Sequence, residues 1–388
     1  MSDLFLLLQG KILAGNRRKR RHTVRSMLLI VLIVALLFLC QVFVTSMVDG
    51  IESTYVSLGG GNATTGAEVE VPDLPFVRSC DKVTTGTVLA YGKKGTNVCM
   101  MKGVDESTYF TKSRMQAISY HKETLSTSLP TVTISRSLGE KLGAGIGDSI
   151  ALVAVGGEQM DKIRPWLCKV DGLYDSGYKE LDMALVFSDR NFVEKIFPSE
   201  NNASQEILFT EGYPTDKGVA QLQASGISCT PWYTQVPSLY QNLLTSEQTL
   251  LAVFIAIAIL CGFFVSSLAL ELVQKDYRTI AVEKLLGLRN GKIRSVYFAV
   301  VSWVTVLAMA TGVLLGFCLS RLMPYFLSYL ASLHLTFLDW YLLKFEIQYP
   351  WKSLGIIFCI LFAISVISVW FSLGRIRKVD PIELVERS

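Results

Sequence analysis

Four long apolar runs constrain the fold of this chain more than any other feature, because the centre of each contains no Asp, Glu, Lys or Arg. A charge at the centre of a membrane helix costs about 2.5–3.5 kcal/mol, and about 20 apolar residues cross a hydrocarbon core of about 30 Å. We therefore predict transmembrane helices over residues 26–48, 249–273, 295–320 and 353–374. The 51% hydrophobic and 18% charged content of the 388 residues agrees with a chain that lies partly in lipid.

The positions of Lys and Arg predict how the chain is oriented in the membrane. Basic residues are dense in segment 1–25, in the loop 274–294 and in the tail 375–388, whereas the loop 321–352 is apolar and aromatic. Because short cytoplasmic loops retain the positive excess, we place the two termini and the loop 274–294 in the cytoplasm and residues 49–248 outside it. The net charge of +4 belongs to this topology, and nucleic acid is not an expected partner.

Residues 49–248 have the pattern of a folded α+β domain. Short β-rich runs at 131–134, 150–155 and 183–187 are separated by Gly and Asp turns. Apolar residues at helical spacing on either side of the domain predict a stalk made by the first two helices, although helix ends packed against the domain explain the spacing equally well. The predicted fold class is an α-helical membrane protein with four transmembrane helices and an α+β extracytoplasmic domain on a helical stalk.

The cysteine pattern allows disulfides but indicates no metal site. Cys80, Cys99, Cys168 and Cys229 all belong to the predicted outer domain, where an even count permits two disulfides in any of three pairings. Cys80 with Cys99 is the simplest local pairing. The three histidines are scattered without ligand spacing, so we predict no bound metal.

Motifs for catalysis are not found in the sequence. There is no Gly-x-x-x-x-Gly-Lys-[Ser/Thr] phosphate loop, no Gly-x-Ser-x-Gly elbow and no His-Glu-x-x-His. We interpret Gly59–Gly61 as a flexible turn, since no Lys-Ser/Thr follows it. The chain is therefore predicted to be a non-catalytic subunit that binds no cofactor, and energy has to come from another protein.

The loop after the second apolar run predicts how such energy arrives. Its apolar residues fall on one side of a short helix, which Gly287 and the residues after it can end. A helix of this kind can lie in a groove of a partner protein or rest on lipid headgroups. The residues predicted to contact an ATPase are Tyr277, Ile280, Ala281, Lys284, Leu285 and Gly287.

The same loop carries a resemblance to a known family. Residues 275–287 resemble the coupling helix of the ABC permeases that include the macrolide-exporter, cell-division and lipoprotein-releasing types, and residues 377–385 are similar to their closing motif. Thr279 and Glu283 depart from that pattern. The resemblance implies a mechanically coupled permease in the bacterial inner membrane. Its partners would be a separate ABC ATPase dimer, which uses ATP and Mg²⁺, and a second permease copy or paralogue.

Other segments resemble the lipoprotein-releasing branch of these permeases. They are residues 46–52, 102–105, 142–148 and 170–182. This resemblance implies extraction of lipoproteins, or of another amphiphilic cargo, from the inner membrane. Two alternatives stay open: an exporter of drugs or peptides, and a division-type signalling permease that activates a cell-wall hydrolase.

Two surfaces are predicted for cargo and for a soluble carrier. Extraction of an acyl chain needs an apolar surface, which we place at the outer ends of the first two helices, with ordinary helix packing as the alternative. Its residues are Val44, Val48, Ile51, Leu243 and Leu250. Segment 156–166 resembles in position the hook with which a lipoprotein-releasing permease docks a periplasmic carrier, and an ordinary hairpin with Trp166 in the core is the alternative. Its predicted docking residues are Met160, Ile163, Pro165 and Trp166.

Overall fold

A computed structural model describes residues 17–111, 114, 119–155, 164–198, 202–286, 288–332 and 347–374. The chain divides into two compact units. Unit 1 comprises Met1–Thr45, Leu244–Tyr325 and Ile347–Ser388. Unit 2 comprises Ser46–Leu243 and Phe326–Glu346.

Eleven α-helices and ten strands are found in the described ranges. The helices are α1 (Arg17–Tyr55), α2 (Glu106–Tyr109), α3 (Arg136–Leu142), α4 (Lys179–Ala184), α5 (Arg190–Ile196), α6 (Thr215–Ala224), α7 (Trp232–Gln235), α8 (Pro237–Lys275), α9 (Tyr277–Leu285), α10 (Asn290–Ser332) and α11 (Trp351–Ser372). The strands are β1 (Ala63–Gly66), β2 (Val77–Tyr91), β3 (Thr96–Val104), β4 (Ser119–Lys122), β5 (Thr131–Ser135), β6 (Ser149–Ala154), β7 (Pro165–Asp175), β8 (Leu185–Asp189), β9 (Ala203–Phe209) and β10 (Cys229–Pro231). A π-helical turn, Val56–Gly60, follows α1 directly.

Among the described residues, four helices are by length and composition apolar enough to cross a membrane. The candidate spans are Met27–Gly60, Pro237–Glu271, Asn290–Leu327 and Trp351–Ser372. Each covers nearly all of one of the four apolar runs of the sequence, and the first extends well beyond residue 48 because α1 continues without interruption to Tyr55.

Close packing of α1 against α10 depends on two glycines spaced four residues apart. A Cβ atom on Gly312 would lie 2.7 Å from Cβ of Val34, and one on Gly316 would lie 2.8 Å from Cβ of Phe38. Small residues at this spacing allow two membrane helices to approach closely, because dispersion contacts and not hydrophobic burial hold such helices together. The core of unit 1 is built around helices packed in this way.

Unit 2 contains a closed six-stranded barrel. β2 pairs with β3, β3 with β8, β8 with β5, β5 with β7, β7 with β6, and β6 with β2 again. The β3–β8 and β5–β7 pairs are parallel, whereas the other four are antiparallel. β9, β1 and β10 extend the sheet from the first half of β2, and β4 adds to β7. Closure removes the unpaired edges of the six strands.

The barrel interior is filled by alternate strand residues together with residues from α3 and α5. Ser135 caps α3 by accepting a hydrogen bond from the amide of Leu138 at 3.0 Å. The predicted strands 131–134 and 150–155 correspond to β5 and β6, whereas 183–187 is only partly a strand, because α4 continues to Ala184.

The predicted pairing of Cys80 with Cys99 is wrong in this structure. Cys99 lies opposite Val88 of β2, eight residues along that strand from Cys80. This separates the two cysteines by about 26 Å along the strand, whereas a disulfide needs Cα atoms within about 7 Å. Cys80 instead donates a thiol hydrogen bond to Oε1 of Gln205. Cys168 and Cys229 are also free thiols, and both are buried.

Candidate functional site

The segment α9, between the second and third apolar helices, is held firmly by its own unit. Ile280 is fully buried and packs in the core of unit 1 with residues that include Val273 and Ile293. At the start of α9, the hydroxyl of Tyr297 donates a hydrogen bond of 2.8 Å to Oδ2 of Asp276. α9 is therefore fixed in place by burial of one side and by a polar contact at its first turn.

The side of α9 that is open to a partner differs from the predicted one. Ile280 and Ala281 are buried, and Tyr277 packs against the same core, so these three predicted contact residues face their own unit. Lys284 is half-buried and Leu285 is 67% exposed, whereas Gly287 lies outside the described residues. The apolar side chains that remain exposed are those of Val282, Leu285, Leu286 and Leu288. Helical periodicity identified an apolar face, but burial of that face against unit 1 leaves a second apolar surface free.

The residues predicted to receive cargo are mostly buried. Val48, Ile51 and Leu243 are 7%, 4% and 9% exposed, whereas Val44 is half-buried. Leu250 packs against the core of unit 1. Burial of this kind favours the alternative of helix packing for these positions, because an acyl chain needs an accessible apolar surface.

The predicted carrier-docking segment is described only at its end. Met160 and Ile163 lie outside the described residues. Pro165 is exposed at the start of β7, and the ring of Trp166 lies 5.8 Å from the ring of Phe192 in an edge-to-face contact. Trp166 packs against the barrel core, as the hairpin alternative expects.

Residues 170–182, whose sequence resembles the lipoprotein-releasing branch, comprise the end of β7, a polar turn at residues 176–178 and the start of α4. The hydroxyl of Ser176 donates a hydrogen bond of 2.6 Å to Oδ1 of Asp182, and both side chains are buried. The Tyr174 hydroxyl donates to the carbonyl of Leu185 at 3.0 Å. These contacts explain the segment by the needs of the fold, since buried polar groups require partners.

A buried ionic cluster in unit 2 is a feature that the sequence did not indicate. The cluster contains Lys102 of β3, Glu206 of β9, Asp81 of β2, Tyr109 of α2, and Arg114, which lies between α2 and β4. The two cations and two anions are all less than 9% exposed, and their formal charges cancel. The sequence carries no local signal for them, because they come from four separate segments that only the folded sheet brings together.

The pairing inside this ionic cluster is close. Lys102 contacts Oε1 of Glu206, and Nη2 of Arg114 donates to Oδ2 of Asp81 at 2.6 Å. Asp81 and Glu206 are direct cross-strand neighbours on β2 and β9, a like-charge arrangement that is unfavourable unless cations compensate it. Burial lowers the pKa of Lys102 to about 8, although Glu206 opposes this effect. Burial and the nearby Glu206 raise the pKa of Tyr109 well above its usual value.

The cations of the ionic cluster bind the backbone that follows α1. Lys102 donates to the carbonyls of Leu58 and Gly59 at 2.6 and 3.0 Å, and Nη1 of Arg114 donates to the carbonyl of Ser57 at 2.7 Å. The last carbonyls of a helix have no partner within the helix and carry partial negative charge. Cations at this position satisfy them.

The three glycines after α1 are packed, not flexible as predicted. A Cβ on Gly59 would lie 2.8 Å from the ring of Tyr55, and one on Gly60 would lie 2.8 Å from Oε1 of Gln235. Gly61 has a φ of 68°, and a Cβ there would meet the carbonyl of Ile207 at 2.8 Å. Glycine is required here because the backbone lies against its neighbours.

Comparisons with known proteins give one family match. Residues 251–381 match the family described as FtsX-like permease C-terminal. No curated protein matches the chain. Among solved structures, the chain is similar to the extracellular domain of the noncanonic ABC-type transporter YknZ from Gram-positive bacteria, at 12% identity. That similarity covers 45% of this chain and 76% of the other, with a TM-score of 0.24, which is too low to define the fold.

The family match falls on the part of the chain that contains most of α8, all of α9 and α10, and α11. Proteins of this family are in general non-enzymatic membrane subunits that work with a partner ATPase. Together with the four long apolar helices found among the described residues, the match indicates a membrane protein whose residues 251–381 are similar to an FtsX-like permease domain.

Proposed function

We propose that this chain is the permease subunit of an ABC transporter complex and that a separate ATPase docks on the exposed apolar residues at the end of α9 and directly after it. The family match over residues 251–381 is the observation that carries this proposal. The match includes α9, whose buried side is anchored in unit 1 and which exposes the apolar side chains of Val282 and Leu285. A short helix that is anchored on one side and apolar on the other is suited to lie in a groove of a partner.

The contact with the ATPase is proposed to centre on Leu285, Leu286 and Leu288. Their exposed fractions are 67%, 78% and 42%. Burial of these three leucines in a partner groove would stabilise a complex by about 1.5–3 kcal/mol for each side chain fully buried. Ile280 and Ala281 support the helix from behind, and their role is to hold α9 in position.

Purification of the full chain from its native membrane tests this proposal. We expect an ABC ATPase to be purified with the chain, and the double variant Leu285→Asp, Leu286→Asp to lose the ATPase and its ATP hydrolysis while still inserting into the membrane. Val98→Asp is a matched control, because Val98 is an exposed apolar residue of β3 in unit 2, with 60% exposure. An equal yield of ATPase with the double variant would refute the proposed contact.

Lipoprotein extraction is the transport reaction we propose for the complex, on the basis of the resemblance of residues 46–52 and 170–182 to the lipoprotein-releasing branch. In this proposal the chain lies in the bacterial inner membrane with both termini in the cytoplasm. It pairs with a second permease copy or paralogue and delivers the lipoprotein to a periplasmic carrier. ATP and Mg²⁺ bind to the partner ATPase.

Identification of the molecules that accompany the purified complex tests the cargo. Acylated protein released from proteoliposomes only in the presence of ATP is the expected result. A complex that moves drugs or peptides instead would identify an exporter. A complex that moves no substrate but binds a cell-wall hydrolase would identify the division-type signalling permease.

A further inference from the structure

Within unit 2, the segment that follows α1 is held by side-chain charges and by close backbone packing. Ser57, Leu58 and Gly59 offer three successive carbonyls, and each accepts a hydrogen bond from a cation. The hydroxyl of Tyr109 also lies 3.2 Å from the carbonyl of Leu58. The backbone in this segment is therefore held along its length, and not at a single point.

Lys102, which binds two of these carbonyls, and the two carboxylates that pair with the cations belong to neighbouring strands of one sheet. β9, β2 and β3 are adjacent, and they supply Glu206, Asp81 and Lys102. The aromatic ring of Tyr109 completes the arrangement, with the Arg114 guanidinium 4.1 Å from its centroid. The ionic cluster thus ties the end of α1 to three strands at once.

Burial of four charges is a poor way to obtain stability alone. A buried ion pair loses its hydration, and apolar residues of similar volume are often equally stabilising or more so. What charges provide and apolar contacts do not is direction, because each donor has to point at its acceptor. A cluster aimed at successive carbonyls resists both sliding and rotation of the backbone that it holds.

We propose that the buried ionic cluster is a rigid joint that fixes the end of α1 to the β9–β2–β3 sheet, so that a displacement of the last turns of α1, which belong to the same unit as the sheet, moves the sheet with it. The joint itself is a property of this chain. That an ATPase drives the displacement rests on the function proposed above. Substitutions can remove two parts of the joint separately: the cations that bind the carbonyls, and the Tyr109 hydroxyl.

Amide hydrogen exchange of the full chain in detergent or nanodiscs, read by mass spectrometry, tests the joint without an ATPase. In Arg114→Leu and in Lys102→Met, we expect peptides that cover residues 56–61 to exchange about tenfold faster or more, since charge-assisted hydrogen bonds to this segment are lost. Peptides from β5 in the barrel core are expected to exchange as in the wild type. Lys93→Met is the matched control, because it removes an exposed ion pair with Asp148 and should leave residues 56–61 unchanged.

Two outcomes with the cation variants would overturn the proposal. One is unchanged exchange of residues 56–61 in both cation variants. The other is an equal increase in β5, which would make the cluster a general contributor to stability. Tyr109→Phe keeps all four charges and so provides a milder test if the cation variants do not fold. It should accelerate exchange of residues 56–61 by a smaller factor, and no change there would also count against the joint.

Discussion

Removal of one charge from the buried ionic cluster is expected to be costly, and Glu206→Gln is the cleanest way to remove it. Glutamine has nearly the same shape as glutamate, so the change creates no cavity. Glu206 is 2% exposed; it contacts Lys102, lies 3.6 Å from Nη1 of Arg114 and 3.1 Å from the hydroxyl of Tyr109. After the substitution, two buried cations face Asp81 as their one remaining anion in the cluster.

The expected loss follows from that imbalance. An uncompensated buried charge costs about 3–5 kcal/mol. Deprotonation of Lys102 sets an upper limit to the loss. A lysine with the usual pKa of 10.5 can be made neutral at pH 7 at a cost of about 5 kcal/mol, so a larger penalty would be avoided by loss of the proton. For a domain of about 200 residues, 1 kcal/mol corresponds to about 2–4 °C in the melting temperature, so we expect a decrease of about 6–20 °C.

Thermal unfolding of the full chain in one fixed detergent, followed by tryptophan fluorescence, measures this loss. Trp232 of α7 is 2% exposed and reports on unit 2. Lys102→Met together with Glu206→Gln restores charge balance. The double variant should therefore lose about 1–3 kcal/mol less unfolding free energy than the sum of the losses in the two single variants. Lys93→Met, at a side chain that is 68% exposed, should change the stability by less than about 1 kcal/mol. Additive losses within about 0.5 kcal/mol would refute the pairing of Lys102 with Glu206.

Three further predictions follow from burial and packing. Burial lowers the pKa of Lys102 from its usual 10.5 to about 8, so between these two pH values the unfolded chain binds more protons than the folded chain. The melting temperature of the wild type should therefore rise relative to that of Lys102→Met as the pH increases from 8 to 10. An equal pH response of both proteins would contradict this. Gly316→Leu should destabilise the contact of α1 with α10 by about 1–3 kcal/mol in thermal unfolding, whereas Gly355→Leu should not, because a Cβ atom added at Gly355 meets no atom within 4 Å. In the native chain, maleimide should modify the exposed Cys80 well before the buried Cys168, whose pKa burial raises to about 12, and peptide mass spectrometry would show equal labelling if this is wrong.

The helices of unit 1 were predictable from the sequence because a long charge-free run has few other structures available to it. The apolar runs, the short helix α9 and the strands β5 and β6 all follow from local composition and spacing. The match to an FtsX-like permease domain over residues 251–381 agrees with the permease resemblance of segment 275–287. It does not distinguish the lipoprotein-releasing branch from the others.

Contacts between distant residues could not be predicted in this way. Whether Ile280 faces its own unit or a partner depends on which surface α9 packs against, and periodicity does not contain that information. Closure of the barrel depends on β6 pairing with both β2 and β7. The hydrophobic length of a segment is a local property, so the sequence by itself determined the apolar helices. The ion pair of Lys102 with Glu206 connects residues far apart in the chain. Only the tertiary structure decided that their charges meet, because it brings β3 and β9 to either side of β2.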